Sequence, residues 1–166
     1  DHEASDARVV PQDTLCVVVD ERLAEYDASY GSLCRQLFLN YDALAKCGRP
    51  YAIYLRNDLA ALDLSRNHFL WMLGMARLTQ EEEALLQQRI HQGSTVLHTD
   101  LHATTCLAPA GGSWGVTLTP GELRAIADRA GVHRYLDSDD VLYAGRGYLA
   151  IHVAEAGEKL IRLPKE

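Results

Sequence analysis

Two histidines flank an aspartate in the segment His98-Thr99-Asp100-Leu101-His102, and this spacing could bind a divalent metal. Alternate residues of an extended chain point to the same side, so the three side chains would face one ligand. Imidazole nitrogens and carboxylate oxygens are common ligands of zinc and related ions. Polar residues at a strand end are also typical of a solvent-exposed loop or a small-molecule contact, and we expect no metal and no cofactor here.

Cys106 is a second candidate for chemistry, as a nucleophile of the kind that Cys-His hydrolases use. Such a cysteine needs a sharp strand-to-helix turn with small neighbours, which presents the sulfur beside an oxyanion hole. The local sequence Thr104-Thr105-Cys106-Leu107-Ala108 has no G-x-C-x-G pattern and no helix signal directly after it. We therefore predict no catalytic residue in this chain.

Asp20 and Trp114 are candidates for ligand binding. Asp20 directly follows the apolar run Leu15–Val19, and α/β proteins bind ligands at the ends of such strands. The turn after this strand has no glycine-rich phosphate loop, so we expect no nucleotide or flavin. Trp114 lies in a glycine-rich segment and, if exposed, could stack on a sugar or line an interface. The candidate ligand-binding residues are therefore Asp20, His98, Asp100, His102 and Trp114.

Alternating strand and helix signals must position these residues. Four continuous apolar runs, at 15–19, 51–55, 68–73 and 94–97, predict parallel strands with both faces covered. Helices are predicted at about 30–47, 80–92 and 120–130, the last two beginning with capping boxes at Thr79 and Thr119. The predicted buried stripe of the first helix consists of Tyr30, Leu33, Cys34, Leu37, Phe38, Tyr41, Leu44 and Ala45.

The hydrophobic period changes from 3.6 to 2 after residue 131. Strands are predicted at 141–144, 148–153 and 159–163, with tight turns between them. The sequence thus predicts a flavodoxin-like or Rossmann-like α/β fold, with a three-layer parallel sheet and a C-terminal antiparallel meander. Residues 1–13 are predicted to be a tail or linker, and residues 14–166 one domain that includes an antiparallel extension over 131–164.

The amino-acid composition of the chain disfavours some classes of binding partner. The chain has 166 residues, 48% of them hydrophobic, which suits one globular domain. With 23 acidic against 16 scattered basic residues, its net charge of −7 disfavours nucleic acid and anionic membranes as partners. The four cysteines contain no C-x-x-C pair, which favours reduced structural thiols and a reducing compartment such as the cytoplasm. Because the chain begins at Asp1, we expect it to be processed or part of a longer protein.

A series of short motifs runs through residues 51–97: YAIYL, Asp58-Leu59, Leu62-Asp63-Leu64-Ser65, Leu78-Thr79-Gln80-Glu81-Glu82 and Gln92-Gly93-Ser94-Thr95-Val96. In this order they resemble the middle domain of family 42 glycoside hydrolases, the β-galactosidases. The resemblance implies a fold similar to class I glutamine amidotransferases without their catalytic elbow, and a role in trimerisation beside a catalytic barrel. Asn67 departs from the family, which often has Tyr there, and Gln92-Gly93-Ser94 replaces a double glycine.

Two functional hypotheses follow. The first is a non-catalytic accessory or oligomerisation domain of a carbohydrate-active enzyme, with another domain or subunit as partner, a homo-oligomer as the expected assembly, and carbohydrate as a further candidate ligand. The catalytic acids of the resembled family lie in its barrel, so none of them can be assigned here. The alternative is a small hydrolase or ligand-binding module of the amidotransferase-like fold, which would use the cleft near Asp20 and His98–His102.

Overall fold

A mixed six-stranded sheet with helices on both faces forms the centre of the computed structural model. The structure describes residues 8–10, 14–22, 32–75, 77–100, 102–108, 111–145 and 148–164. The helices are α1 (Ser32–Lys46), α2 (Gln80–His91) and α3 (Pro120–Arg129), with a 3-10 helix at Arg56–Ala61. The strands are β1 (Arg8–Val9), β2 (Leu15–Val19), β3 (Tyr51–Leu55), β4 (Leu62–Asp63), β5 (Phe69–Leu73), β6 (Thr95–Thr99), β7 (Thr104–Ala108), β8 (Ser113–Trp114), β9 (Val141–Gly145) and β10 (Tyr148–His152).

The strand order in the main sheet is β3-β2-β5-β6-β7-β8. The first four strands are parallel, which confirms that the four predicted apolar runs form one parallel sheet. Strands β7 and β8 extend this sheet in antiparallel pairings that the sequence pattern did not predict. The result is the predicted three-layer, flavodoxin-like α/β architecture.

Two hydrophobic cores lie on opposite faces of the sheet. On one face, Val17 and Trp71 pack with residues of α1 and α3, among them Leu44 and Leu123. The opposite face is a second core that includes residues of β2 and β5 and the α2 residue Leu86. Strands β2 and β5 are buried along their whole length, as expected for central parallel strands covered on both sides.

The buried face of α1 differs from the predicted stripe. Phe38 is 77% exposed and Tyr41 44% exposed, whereas the amides Gln36 and Asn40 are buried. The amides lie inside because they bind the backbone of other segments: Asn40 Nδ2 donates to the carbonyl of Val116 over 3.0 Å. Leu44 and Ala45 are buried as predicted and Leu37 packs half-buried against the core, while Tyr30 and the side chains of Leu33 and Cys34 lie outside the described residues.

The N-terminal segment is attached to the domain at residues 8–10, within the range predicted as a tail. Strand β1 pairs in parallel with β4, and Val10 is completely buried in the core on the α2 side. This contact joins the segment before β2 to the connection between β3 and β5.

The C-terminal part forms the predicted β9–β10 hairpin as a separate two-stranded antiparallel sheet. The predicted third strand at 159–163 is wrong, since one bridge between Leu136 and Ile161 is the pairing found there. Side-chain bonds hold this segment instead: Lys159 Nζ lies 2.7 Å from the Asp140 carboxylate, which also accepts from the Ala154 amide over 2.8 Å.

Asp140 makes the attachment of this segment depend on pH. Hydrogen bonds from Lys159, Ser138 and the Ala154 amide lower its pKa to about 2. Because the folded-state pKa lies below the unfolded value of about 3.9, the stabilisation is complete above that value and is lost as the pH falls through about 2. We expect Asp140→Asn to have a lower Tm than the parent at neutral pH, and the difference to shrink between about pH 4 and pH 2. Thermal melts across this range test it, and a constant difference in Tm would contradict it.

No helix in the described part of the chain is long and apolar enough to cross a membrane.

Candidate functional site at the carboxyl edge of the sheet

The carboxyl edge of the parallel strands is where an α/β sheet of this order places a ligand. Asp20 and Glu21 follow β2, Arg56 follows β3, and Gly74 and Met75 follow β5. The chain changes direction across the sheet at this point, since β3 and β5 lie on opposite sides of β2. Polar groups from distant parts of the sequence therefore meet at this edge.

Arg56 occupies the centre of this edge and binds two carboxylates. Its NH1 group donates to Asp20, and its Nε donates to Glu82 Oε1 over 2.5 Å. The NH2 group donates to the other oxygen of Glu82 and, over 2.9 Å, to the carbonyl of Arg77. Arg56 and Asp20 are both buried, so the three side chains form a desolvated ion cluster.

Glu21 and Glu82 tie this cluster to the backbone. Glu21 accepts from the amide of Arg56 over 2.9 Å and from the amide of Asn57 over 3.3 Å. Glu82 also completes the predicted capping box of α2 by accepting from the Thr79 amide over 2.7 Å. Burial alone would raise the pKa of Glu82, but the bonds from Arg56 and Thr79 outweigh it and lower that pKa. These carboxylates are thus engaged in joining β2, β3 and α2.

His98 and Asp100 bind different parts of the backbone and do not form one cluster with His102. His98 Nε2 lies 2.7 Å from the carbonyl oxygen of Met75. Asp100 Oδ1 accepts from the amides of His102 (2.6 Å) and Ala103 (2.9 Å), and these bonds lower its pKa. Among the residues that the structure describes, no group of three or more His, Cys, Asp or Glu side chains is arranged to hold a metal.

The predicted cleft between Asp20 and His98 is spanned by another strand. Because β5 lies between β2 and β6, the two strand ends are separated by about 10 Å. Asp20 belongs to the Arg56 cluster, and His98 binds the backbone after β5. The structure therefore places both residues at the predicted edge without bringing them into one contact.

Cys106 and Trp114 lie in the antiparallel part of the sheet. Cys106 is buried within β7, and its amide donates to the carbonyl of Gly112 over 2.9 Å. A strand interior lacks the strand-to-helix turn that a nucleophile elbow requires. Trp114 is half-buried in β8 and packs against the core on the α1 side, with Gly112 against its ring, rather than standing on an open loop.

Arg56 was not among the predicted site residues, although its position directly after the strand 51–55 could have indicated the same edge as Asp20. Glu82 was predicted to act in helix capping alone. A buried chain of hydrogen bonds was also not predicted, in which Trp71 Nε1 donates to Thr99 over 2.8 Å and Thr99 bonds to Thr104 over 2.8 Å. The buried polar groups at this edge mainly join elements of the fold.

Comparisons of the chain with protein-family models, with curated proteins and with solved structures gave no match.

Proposed function

We propose that this chain is a non-catalytic oligomerisation domain of a carbohydrate-active enzyme similar to the family 42 glycoside hydrolases. One observation carries the proposal: β3 is an apolar strand at the edge of the sheet, with exposed hydrophobic side chains beside it. The partner we propose for this edge is a second copy of the chain.

The side chains concerned form what we call the β3 surface, defined as Phe38, Tyr41, Ile53, Leu55 and Tyr143, each at least 38% exposed. The ring of Tyr41 lies edge-on to the ring of Tyr51, with 6.3 Å between their centroids, and Tyr51 and Tyr143 lie near enough to Tyr41 to lower its pKa. Ile53 lies beside the completely buried Val17 on the same face, so within the described part of the chain α1 covers β2 and leaves Ile53 exposed. Contiguous apolar surface of this kind is typical of a protein–protein contact.

Strand β3 also lacks the devices that keep an edge strand from pairing. Monomeric proteins protect such edges with charged residues, prolines or bulges. The sequence YAIYL has neither a charge nor a proline, and β3 pairs with β2 in unbroken register. Antiparallel pairing about a two-fold axis at Ile53 would place Tyr51 opposite Leu55 of the partner subunit, without like charges.

The carboxylates at the carboxyl edge of the sheet already bind other groups of the chain, and this supports the proposal that the chain is not catalytic. Hydrolysis of a glycoside requires two carboxyl groups across a sugar-sized cleft, one of them protonated at working pH. Asp20 and Glu82 instead share the guanidinium of Arg56, and Glu21 binds backbone amides. The resemblance to family 42 agrees with this view, since it implies an assembly domain beside a separate catalytic barrel.

The first experiment measures the mass of the chain in solution. We expect about twice the chain mass of 18.4 kDa, because an isologous edge pairing closes at two copies. Ile53→Lys should weaken the association at least about tenfold, since it places two like charges at the two-fold axis. Leu107→Lys is the matched control, because Leu107 is similarly exposed on β7, away from β3.

The possible results of this measurement lead to different conclusions. A monomeric parent chain, or equal dissociation by Leu107→Lys and Ile53→Lys, would overturn the assignment of the β3 surface. A trimer that is insensitive to Ile53→Lys would agree with the family resemblance and place the contact elsewhere.

A second experiment tests the absence of catalysis. The chain is expected not to hydrolyse aryl galactosides or glutamine, with Cys106→Ser as the control for thiol chemistry. Turnover that disappears in Cys106→Ser, or in Asp20→Asn, would reject the proposal and favour the small-hydrolase alternative. Circular dichroism of each variant verifies that the loss does not reflect unfolding.

A further inference from the structure

Arg89 is a buried arginine without a carboxylate partner. It is 6% exposed, and within the described part of the chain no carboxylate lies at ion-pair distance from its guanidinium. The other buried arginines are paired, Arg49 with Asp128 and Arg56 with Asp20 and Glu82. A buried charge without an ion-pair partner is costly, so such a group favours the binding of an anion.

The hydrogen bonds of Arg89 use part of its donor capacity. NH1 donates to Gln92 Oε1 over 3.0 Å and NH2 donates to the carbonyl of Asn67, while no described residue accepts from the buried Nε. Ser94, which is 1% exposed, has a buried hydroxyl that likewise has no hydrogen-bond partner among the described residues. Arg89 Nε and Ser94 Oγ are thus two of the four buried side-chain polar atoms that lack a partner in the described part of the chain.

Both residues line a cavity of about 380 Å³ at the amino edge of β5 and β6, which we call the amino-edge pocket. Its wall includes Leu62, Leu64 and Leu85, together with Gln88, Arg89 and Ser94. Pockets of a few hundred Å³ that combine apolar walls with a few convergent polar groups are typical of small-molecule sites. This pocket lies at the opposite end of the strands from the Arg56 cluster.

We propose that the amino-edge pocket binds a small organic monocarboxylate, whose carboxylate pairs with Arg89 and whose apolar part lies against the three leucines. The planar guanidinium offers parallel N–H donors that match the two oxygens of a carboxylate. The hydroxyl of Ser94 supplies a further donor from the strand side of the pocket.

The charged groups around the pocket favour a ligand with a single negative charge over a doubly charged phosphate. Among the described residues that line the pocket, Arg89 is the one arginine or lysine, and the C-terminal end of α2 carries partial negative charge. Asp63 lies near enough to act electrostatically on Arg89, although its carboxylate is bonded to the amide of Ser65 over 2.9 Å. A doubly charged ligand would be repelled by these groups, whereas one carboxylate balances one guanidinium.

The test is a titration of the folded chain with butyrate, followed by NMR of backbone amides and leucine methyl groups. We expect saturable shifts confined to the pocket, and at least about tenfold weaker binding of butyramide, which has the same shape without the charge. Inorganic phosphate should also bind at least about tenfold more weakly than butyrate.

Two variants separate binding from folding. Ser94→Ala should weaken butyrate binding severalfold while the Tm stays unchanged or rises, because an unpartnered buried hydroxyl contributes nothing to the fold. Arg89→Met should abolish butyrate binding, and Arg66→Met, which removes an exposed arginine nearby that does not line the pocket, should leave it unchanged. If Arg89→Met does not fold, the proposal is tested by butyrate binding to Ser94→Ala and by butyramide binding to the parent chain.

Each contrary result has a defined meaning. Absence of saturable shifts up to about 50 mM butyrate would overturn the site, because weaker binding has no specificity. Equal binding of butyramide would reject the role of the charge, and tighter binding of phosphate would reject the monocarboxylate class. A fall in Tm with Ser94→Ala would show that this hydroxyl stabilises the fold, and it would overturn its role as a free donor in the pocket.

Discussion

Replacing Arg56 with Met is expected to lower the free energy of unfolding by about 3–5 kcal/mol, because it leaves the buried carboxylate of Asp20 and the largely buried carboxylate of Glu82 without their counter-charge. Asp20 is 5% exposed, and Glu82 lies in the same desolvated cluster. The loss should exceed that of an ordinary ion pair, since Arg56 joins the ends of β2 and β3 to the first turn of α2 and to the Arg77 carbonyl. Urea denaturation of the variant and the parent chain measures the difference.

The matched control for this prediction is Arg22→Met. Arg22 approaches the same carboxylate, at 3.4 Å from Asp20 Oδ1, but its side chain is 38% exposed. Exposed ion pairs of this kind contribute below about 1 kcal/mol. A loss with Arg56→Met no greater than with Arg22→Met would show that the cluster is not desolvated.

Neutralising the partners should recover stability. Combining Arg56→Met with Asp20→Asn and Glu82→Gln removes the unpaired charges, and Gln preserves the capping box at Thr79. We therefore expect the triple variant to be more stable than Arg56→Met alone. If the triple variant instead loses as much stability as the three single variants added together, the loss in Arg56→Met is not caused by unpaired buried charges.

The parallel half of the fold could be predicted because its signals are local. The strands β2 and β5 are apolar along their whole length, and Thr79 and Thr119 begin helices with capping boxes that the structure confirms. Strand β7 was not predicted because its sequence TTCLA is neither continuously apolar nor clearly alternating. It is a strand because it pairs with β6, and that contact does not show in its own sequence.

The buried face of α1 could not be predicted from the spacing of its apolar residues. Apolar periodicity ranked Phe38 and Tyr41 as core residues, but the helix is rotated so that Gln36 and Asn40 point inward. Asn40 satisfies its amide with the backbone at Val116 and Leu118, more than 70 residues away along the chain. A buried amide is favourable when such partners exist, and a periodicity analysis does not contain them.

The candidate site was predictable in position but not in chemistry. Asp20 follows an apolar strand, which correctly places it at the carboxyl edge of the sheet. Its partner Arg56 is 36 residues away and follows β3, so the pairing depends on β3 lying next to β2. Strand order of this kind is decided by the packing of the whole domain, and a single sequence does not reveal it.

Gly48→Ala is expected to destabilise the chain by about 2–5 kcal/mol, through both backbone strain and a collision. Gly48 follows α1 with a φ of +72°, in the left-handed region that favours glycine. A Cβ added there would collide with the carbonyl oxygen of Leu136, which is backbone and cannot rotate away. The carbonyl of Gly48 also accepts from the amides of Tyr135 and Leu136, over 2.9 and 3.3 Å, so any shift disturbs these bonds.

Gly93→Ala separates the two causes. Gly93 follows α2 with a similar φ of +82°, but an added Cβ there would meet no atom of the described residues within 4 Å. Gly93→Ala should therefore lower the free energy of unfolding only by the cost of the left-handed conformation, roughly 1–2 kcal/mol. Denaturant melts of both variants give the difference, and limited proteolysis shows whether Gly48→Ala releases the segment after Val132. Equal losses would mean that Leu136 is not held against the end of α1. A larger loss at Gly48 is expected because this glycine holds the C-terminal segment against the parallel sheet domain.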